Sequence, residues 1–338
     1  MSNRKIVFTA PWTVEIQEDQ ETSAAVLAPD EVRLQKIYSL ISPGTELACL
    51  SGGESWFPFP DVPGYASVSR VLEAGESVEH IKAGDNVFHY GTHSSEQIVK
   101  AEGVLLRVPD GIDLKWVPFT RMATVAMTSL RVSQIELGDF VTVTGLGLVG
   151  NMASQLAGLQ GAHVIGLDLS EERLRIAKAC GVAHTIHSGK EQAIDIIKQL
   201  TNGIGSNTHI EATGVPKVAV DSLPWIAPFG ELILLGSPRG EYITNVTDVL
   251  NYSHLIGRGC ITFKGAHEWR YSVEPNPFVK HSLVRNSQVV FQLMKEGKLH
   301  IEPLLSHVLR PEQAEEAYFG LRDKKDEYSG VLFDWQAE

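Results

Sequence analysis

The chain has 338 residues, 43% hydrophobic and 21% charged, with a formal net charge of −12 at pH 7. That is the composition of a globular protein large enough for two domains, and its acidic surface repels phosphate backbones, which excludes nucleic acid as a partner. No apolar run approaches the roughly 18 residues of a membrane span, "MSNRKIVFTAPW" has no signal-peptide core, and Cys49, Cys180 and Cys260 are too far apart for a disulfide framework, so a reducing cytoplasm is expected.

Up to about residue 120, short β-type runs alternate with turns: "EVRLQKIYSLI", "YASVSRVLEAG", "SEQIVKA" and "GVLLRVPDG", punctuated by "SPGTE", "PDVPGY" and "PDG". This predicts a compact, mostly antiparallel β unit. From about 122 to 265, strand candidates alternate with helices. The strands are "FVTVTG" (140–145), "HVIGLD" (163–168), "HTI" (184–186), "THIEATG" (208–214), "ELILLG" (231–236) and "CITFKG" (260–265). In "SEERLRIAKACG", Glu171 and Glu172 sit in the first turn, basic residues later, and Gly181 at the end, an order that complements the helix dipole. The alternation predicts a parallel, doubly wound sheet. The tail carries two helices, "SLVRNSQVVFQLMKEGK" and "PEQAEEAYFGLRD", and a final strand "GVLFDW", and is expected to rejoin the first domain. The expected domains are 1–121 with 275–338, and 122–274.

"VTVTGLGLVGNMASQLAGLQGAHVIGLDLS" (141–170) carries the most specific pattern. Gly145 permits a tight strand-to-helix turn. Gly147 lets a pyrophosphate approach the backbone. Gly150 lets the helix pack on the sheet. Leu148 and Val149 open that helix, whose first N–H groups and positive dipole end suit phosphate. Asp168 ends the next strand, where a carboxylate binds ribose hydroxyls and repels a 2′-phosphate, favouring NAD over NADP. Leu169 and Arg173 follow it at the same expected nucleotide site. Glycines also mark ordinary turns, but strand, glycines, helix, strand and terminal Asp in register leave that reading about one chance in twenty.

The chain resembles the medium-chain dehydrogenase/reductases, the alcohol and polyol dehydrogenase superfamily. The resemblance rests on "PDVPGYASVSRVLEAGESVEHIKAGDNVF", "LLRVPDGID", "GLGLVG", "VIGLDLSEERLRIAKACGVAHTI", "IEATG", "GELILLG", "ITFKGA" and "EGKLHIEPLLSHVLRPEQAEEAYFGL". It implies a GroES-like β domain interrupted by a Rossmann domain. It also implies cofactor contacts from Thr124, Thr213, Gly236, Ser237, Ala266 and His267. Many relatives hold a catalytic zinc with Cys, His and a later Cys or Glu. Here the motifs read "SPGTE", with Ser42 or Pro43 at the Cys position, "GYA", with Tyr65 and Ala66, and "PFTRMATVAMTS", with Thr120 or Arg121 at the third ligand. None offers zinc its usual donor. The structural zinc lobe has shrunk to "HYGTHSSEQ", whose His89 and His93 read as loop residues rather than ligands. No metal is expected.

Without zinc, another group must hold the substrate oxygen. Tyr65 stands at a lost ligand position, where its hydroxyl could donate a hydrogen bond, or the ring could simply fill volume. The resemblance gives Thr45 the role of linking substrate to the nicotinamide ribose, and Glu46 matches the acidic residue beside it, which can also brace the loop. Arg121 would favour a hydroxyl-rich or anionic substrate, or pair with Glu46 in place of the metal. For His267 and Trp269, packing outweighs a pocket role. The reading that follows is an NAD-dependent oxidoreductase of a secondary alcohol in a sugar, cyclitol or other polyol. The alternatives are a zinc-independent quinone or enoyl reductase, a sugar lyase or epimerase with tightly bound NAD, and a non-enzymatic NAD(H)-binding protein. The strand pair "ELILLG" to "CITFKG" matches the one through which relatives dimerise, so a homodimer or homotetramer is expected.

Overall fold

The computed structural model describes residues 3–19, 22 and 24–336. By contacts the chain divides into two compact units, 1–121 with 271–297 and 304–338, and 122–270 with 298–303.

The first unit begins with a hairpin of β1 (Arg4–Ala10) and β2 (Thr13–Glu18). β3 (Glu31–Leu40) leads into α1 (Pro43–Leu50), and β4 (Ser67–Ala74), β5 (Asn86–His89), β6 (Glu96–Lys100) and β7 (Leu105–Arg107) follow. The helix α1 lies where the sequence pattern suggested a turn. Pro43 at its first position presets φ, which favours helix entry. α2 (Thr120–Val132) carries the chain into the second unit.

There β8 (Phe140–Thr144), α3 (Leu148–Leu159), β9 (His163–Asp168), α4 (Glu171–Ala179), β10 (His184–His187), α5 (Ala193–Leu200), β11 (Ser206–Glu211), α6 (Pro216–Ser222), β12 (Ile226–Leu234), α7 (Val246–His254) and β13 (Thr262–Gly265) alternate as expected. All six strands pair in parallel, in the order β10-β9-β8-β11-β12-β13. The sheet winds outward in both directions from between β8 and β11, and such a switch point leaves a crevice at the strands' carboxyl ends. Ile165, Leu167, Ile186 and Ile197 form one apolar layer against it. Ser170 caps α4, accepting a hydrogen bond from the Arg173 N–H at 3.2 Å, and Gly181 ends that segment at φ +92°.

The tail returns to the first unit. α8 (Leu283–Lys295), β14 (Leu305–Leu309), α9 (Ala314–Asp323) and β15 (Gly330–Asp334) complete it. β15 pairs antiparallel with β3 and parallel with β14, in a sheet ordered β14-β15-β3-β4-β5-β7. Ile6, Phe8, Ile41, Leu50, Tyr318 and Phe333 bury one core of this unit between the hairpin, α1 and α9.

Candidate functional site

In the second unit the glycine loop sits at the switch point. Gly145 follows β8 at φ +89°, a region that favours glycine, and its N–H bonds the Leu167 carbonyl at 2.9 Å. A Cβ at Gly145 would lie 2.7 Å from the Thr213 methyl, so the ends of β8 and β11 meet there. A Cβ at Gly150 would fall 1.7 Å from the Gly145 carbonyl oxygen. Only glycine allows α3 to start so close to the strand. Beside Gly147 a Cβ would meet nothing within 4 Å, and no side chain caps α3. The loop therefore offers open backbone at the start of the helix formed by Leu148, Val149 and Gly150, where an anion fits.

Asp168 is buried and organises this loop. One carboxylate oxygen accepts the Leu146 N–H at 2.7 Å, and the other accepts the Ser170 N–H at 2.9 Å. The Arg173 guanidinium lies 3.8 Å from it, while Leu169 is exposed. The carboxylate keeps lone pairs for ribose hydroxyls, yet an arginine stands next to it. Glu211, at the end of β11, escaped the sequence reading. It accepts from the Thr213 N–H at 2.7 Å, the Gly214 N–H at 3.0 Å and the Thr213 hydroxyl. Burial pushes its carboxyl up, and these donors oppose that shift. The turn they fix brings Gly214 against Gly236 and Ser237, where added Cβ atoms would lie 2.3 Å from facing backbone. Thr124 and Ala266 are buried; His267 and Ser237 are exposed. Trp269 is 55% exposed.

In the first unit, Ser42, Tyr65 and Arg121, the positions that the resemblance implies for zinc ligands, do meet. The Tyr65 hydroxyl donates to the Ser42 Oγ. The Arg121 guanidinium stacks on the Tyr65 ring at 4.9 Å and on the Tyr90 ring at 4.4 Å. A buried guanidinium between two aromatic faces is held by their quadrupoles. Burial pushes the Tyr65 phenol up, against the pull of Arg121 and hydrogen bonds from Ser42 and Thr45. It is thus a protonated hydrogen-bond donor at neutral pH. Thr45 is half-buried on the same turn of α1.

Glu46 stands in the first turn of α1. It is 2% exposed, and its carboxylate receives the Ser42 N–H at 2.7 Å, the His93 Nε2 at 3.0 Å and the Tyr318 hydroxyl at 2.6 Å. Of the two histidines expected in loops, His93 lies in a bend and His89 instead in a strand, and both are buried. His89 ends β5 and bonds the Ser69 hydroxyl at 2.8 Å. His93 Nδ1 meets the Ser39 hydroxyl at 2.7 Å. Behind them lies a fully buried lysine, Lys36, which donates to Ser67 at 2.8 Å and to Gln97 at 3.0 Å. Burial pulls its ammonium well below the ordinary lysine range, and burial followed by Lys36 does the same to His89. Among the described residues, no group of three or more His, Cys, Asp or Glu is placed to hold a metal ion. No helix among them is long and apolar enough to cross a membrane.

Residues 149–275 match the family described as zinc-binding dehydrogenase. The chain is 27% identical to the D-guloside 3-dehydrogenase of Escherichia coli K12, covering 98% of this chain and all of that protein. It is 24% identical to the D-xylulose reductase of Morganella morganii, covering 94% and 97% of the two chains. The solved structure of galactitol-1-phosphate dehydrogenase from Escherichia coli superimposes with a TM-score of 0.84 at 20% identity, covering 98% and 99%. The fold is that of the solved dehydrogenase, a GroES-like domain and a Rossmann domain.

Proposed function

We propose that this chain is a medium-chain dehydrogenase/reductase that oxidises a secondary alcohol of a sugar, cyclitol or other polyol with NAD, and does so without a catalytic zinc. One observation carries the zinc-free part: Ser42, Tyr65 and Arg121 stand where relatives place metal ligands, and they bond to one another instead.

The nucleotide site fits an NAD-type cofactor. The open backbone at Gly147, the uncapped start of α3 and the Asp168 carboxylate match pyrophosphate and ribose in turn. Bound there, the nicotinamide supplies the hydride acceptor. The remaining work falls to the chain's own groups. The Tyr65 hydroxyl and the Arg121 guanidinium stabilise negative charge developing on the substrate oxygen, a contribution of about 10²–10³ in rate for a well-placed donor. Thr45 orients the hydroxyl group being oxidised. A polar substrate follows from these donors, in keeping with the sugar and polyol dehydrogenases named above.

The experiment is hydride transfer to NAD from a panel of sugar alcohols, glycosides and sugar-alcohol phosphates, with Tyr65→Phe and Arg121→Ala as controls. Reduction of NAD by at least one of them, lost in both variants, is the expected result. A second reading has one observation behind it. Arg173, 3.8 Å from Asp168, could receive a 2′-phosphate, as in NADP-using quinone or enoyl reductases. Calorimetry with both nucleotides decides, and tighter NADP binding selects that reading. We also assign a two-fold assembly through β13, the last strand of its sheet, beside an α7 on which Val246 and Leu250 are exposed. A monomer by light scattering at micromolar concentration overturns it. The wide spacing of Cys49, Cys180 and Cys260 in the sequence supports a reducing cytoplasm.

A further inference from the structure

The helix α1 begins in an unusual way. Its N-cap residue is Ser42, yet the Ser42 hydroxyl does not cap it. Serine at this position ordinarily turns its oxygen onto the helix's own free N–H groups. Here that oxygen receives the Tyr65 hydroxyl instead. The helix start is held by Glu46, which reaches back one turn to the Ser42 N–H at 2.7 Å.

Glu46 in turn is held by a chain of buried groups. The Trp335 indole can only donate, and it donates to the Ser39 Oγ at 2.9 Å. Ser39 Oγ and His93 Nδ1 share a hydrogen bond of 2.7 Å. The other ring nitrogen, Nε2, bonds Glu46 Oε2 at 3.0 Å. The same oxygen accepts the Tyr318 hydroxyl at 2.6 Å. The series Trp335, Ser39, His93, Glu46 and Ser42 is joined by hydrogen bonds throughout, and Glu46 Oε2 takes two of them. Ser39, Glu46, His93 and Tyr318 are each at most 2% exposed, so no water competes for these bonds.

We propose that His93 and Tyr318 are positioning residues that hold Glu46 on the Ser42 N–H, and so keep the Ser42 hydroxyl available as the hydrogen-bond partner of Tyr65. This rests on the reading of Tyr65 as the donor to the substrate oxygen: with substrate bound, the single phenol proton turns to that oxygen and the Ser42 hydroxyl donates to the phenol in its place. It assigns a purpose to a buried His–Glu pair.

The test reads the Tyr65–Ser42 bond directly, without substrate. Protein labelled with ¹³C at tyrosine Cζ is compared with Ser42→Ala, His93→Leu, His93→Gln and Tyr318→Phe, the Tyr65 resonance being identified by its loss in Tyr65→Phe. His93→Leu is expected to shift the Tyr65 signal in the same direction as Ser42→Ala. His93→Gln, whose amide can still donate to Glu46 and accept from Ser39, is expected to leave it near wild type. Should His93→Leu not fold, Tyr318→Phe removes a single oxygen and is expected to give the smaller shift of the same sign. A Tyr65 signal unmoved in the folded His93→Leu or Tyr318→Phe protein overturns the proposal. So does an equal shift in His93→Gln. Failure of the dehydrogenase reading appears separately, as absent NAD reduction by wild-type protein whose Tyr65 signal still responds to His93.

Discussion

The glycine loop after β8 and the Ser42–Tyr65–Arg121 cluster are both proposed to hold parts of one reaction, but they are encoded differently. The loop is a backbone site. Its shape depends on what Gly145, Gly147 and Gly150 lack, and its residues are neighbours in sequence. The cluster is a side-chain site. It gathers Ser42, Tyr65, Tyr90 and Arg121 from separate segments, and its support comes from as far away as Tyr318 and Trp335. A backbone site tolerates almost no change at its glycines. A side-chain site can exchange its members while the frame persists.

The largest effect that sharpens this contrast is expected at Gly150. With the Gly145 carbonyl 1.7 Å from the new Cβ, Gly150→Ala should destabilise the protein by about 1–3 kcal/mol, the cost of overpacking. It should also abolish measurable NAD binding. Thermal unfolding and calorimetry check both. An unchanged melting temperature would show that α3 can slide away from the strand.

Next in size are Tyr65→Phe and Arg121→Ala. Each should lower turnover by about 10²–10³ while NAD affinity stays near wild type. A loss confined to KM would mean that these residues bind the ground state rather than the transition state.

Asp168→Ser should cost about tenfold in NAD affinity and narrow the gap to NADP, because it removes the charge that repels a 2′-phosphate beside Arg173. Unaltered preference would show that Asp168 serves only its internal bonds to Leu146 and Ser170.

A smaller effect concerns Lys36. Its folded-state pKa lies below the unfolded value of 10.5, because burial disfavours the ammonium. Between those two values the unfolded chain binds the additional proton, so stability rises with pH through that window. Lys36→Met should remove this slope and stabilise the protein near pH 7 by on the order of 1 kcal/mol, with the advantage fading as pH rises toward 10.5. Chemical unfolding at several pH values reads it. A variant less stable than wild type at every pH would mean that the bonds to Ser67 and Gln97 outweigh the desolvation.

The architecture was legible because its signals are local. "HVIGLD" coincides with β9, and the acid-first, base-last order of "SEERLRIAKACG" marks α4 with its Ser170 cap. Helix α1 was hidden because "SPGTE" carries turn residues, and proline at a helix's first position reads the same as proline in a turn. The loop position of His93 is legible in "GTHSSE", but its burial is not, because Glu46, Ser39 and Phe333 close around it from distant segments. Lys36 carried no warning, since its partners Ser67 and Gln97 lie 31 and 61 residues away. Long-range burial of a polar group leaves no periodic trace in sequence.

The central claim is alcohol oxidation without zinc. The most direct test takes protein dialysed against a strong chelator, measures its zinc by elemental analysis, and follows NAD reduction with the best substrate of the panel. The account predicts far less than one zinc per chain and turnover equal to that of undialysed protein. Stoichiometric zinc before dialysis, together with activity that falls on chelation and returns when zinc is restored, would contradict it.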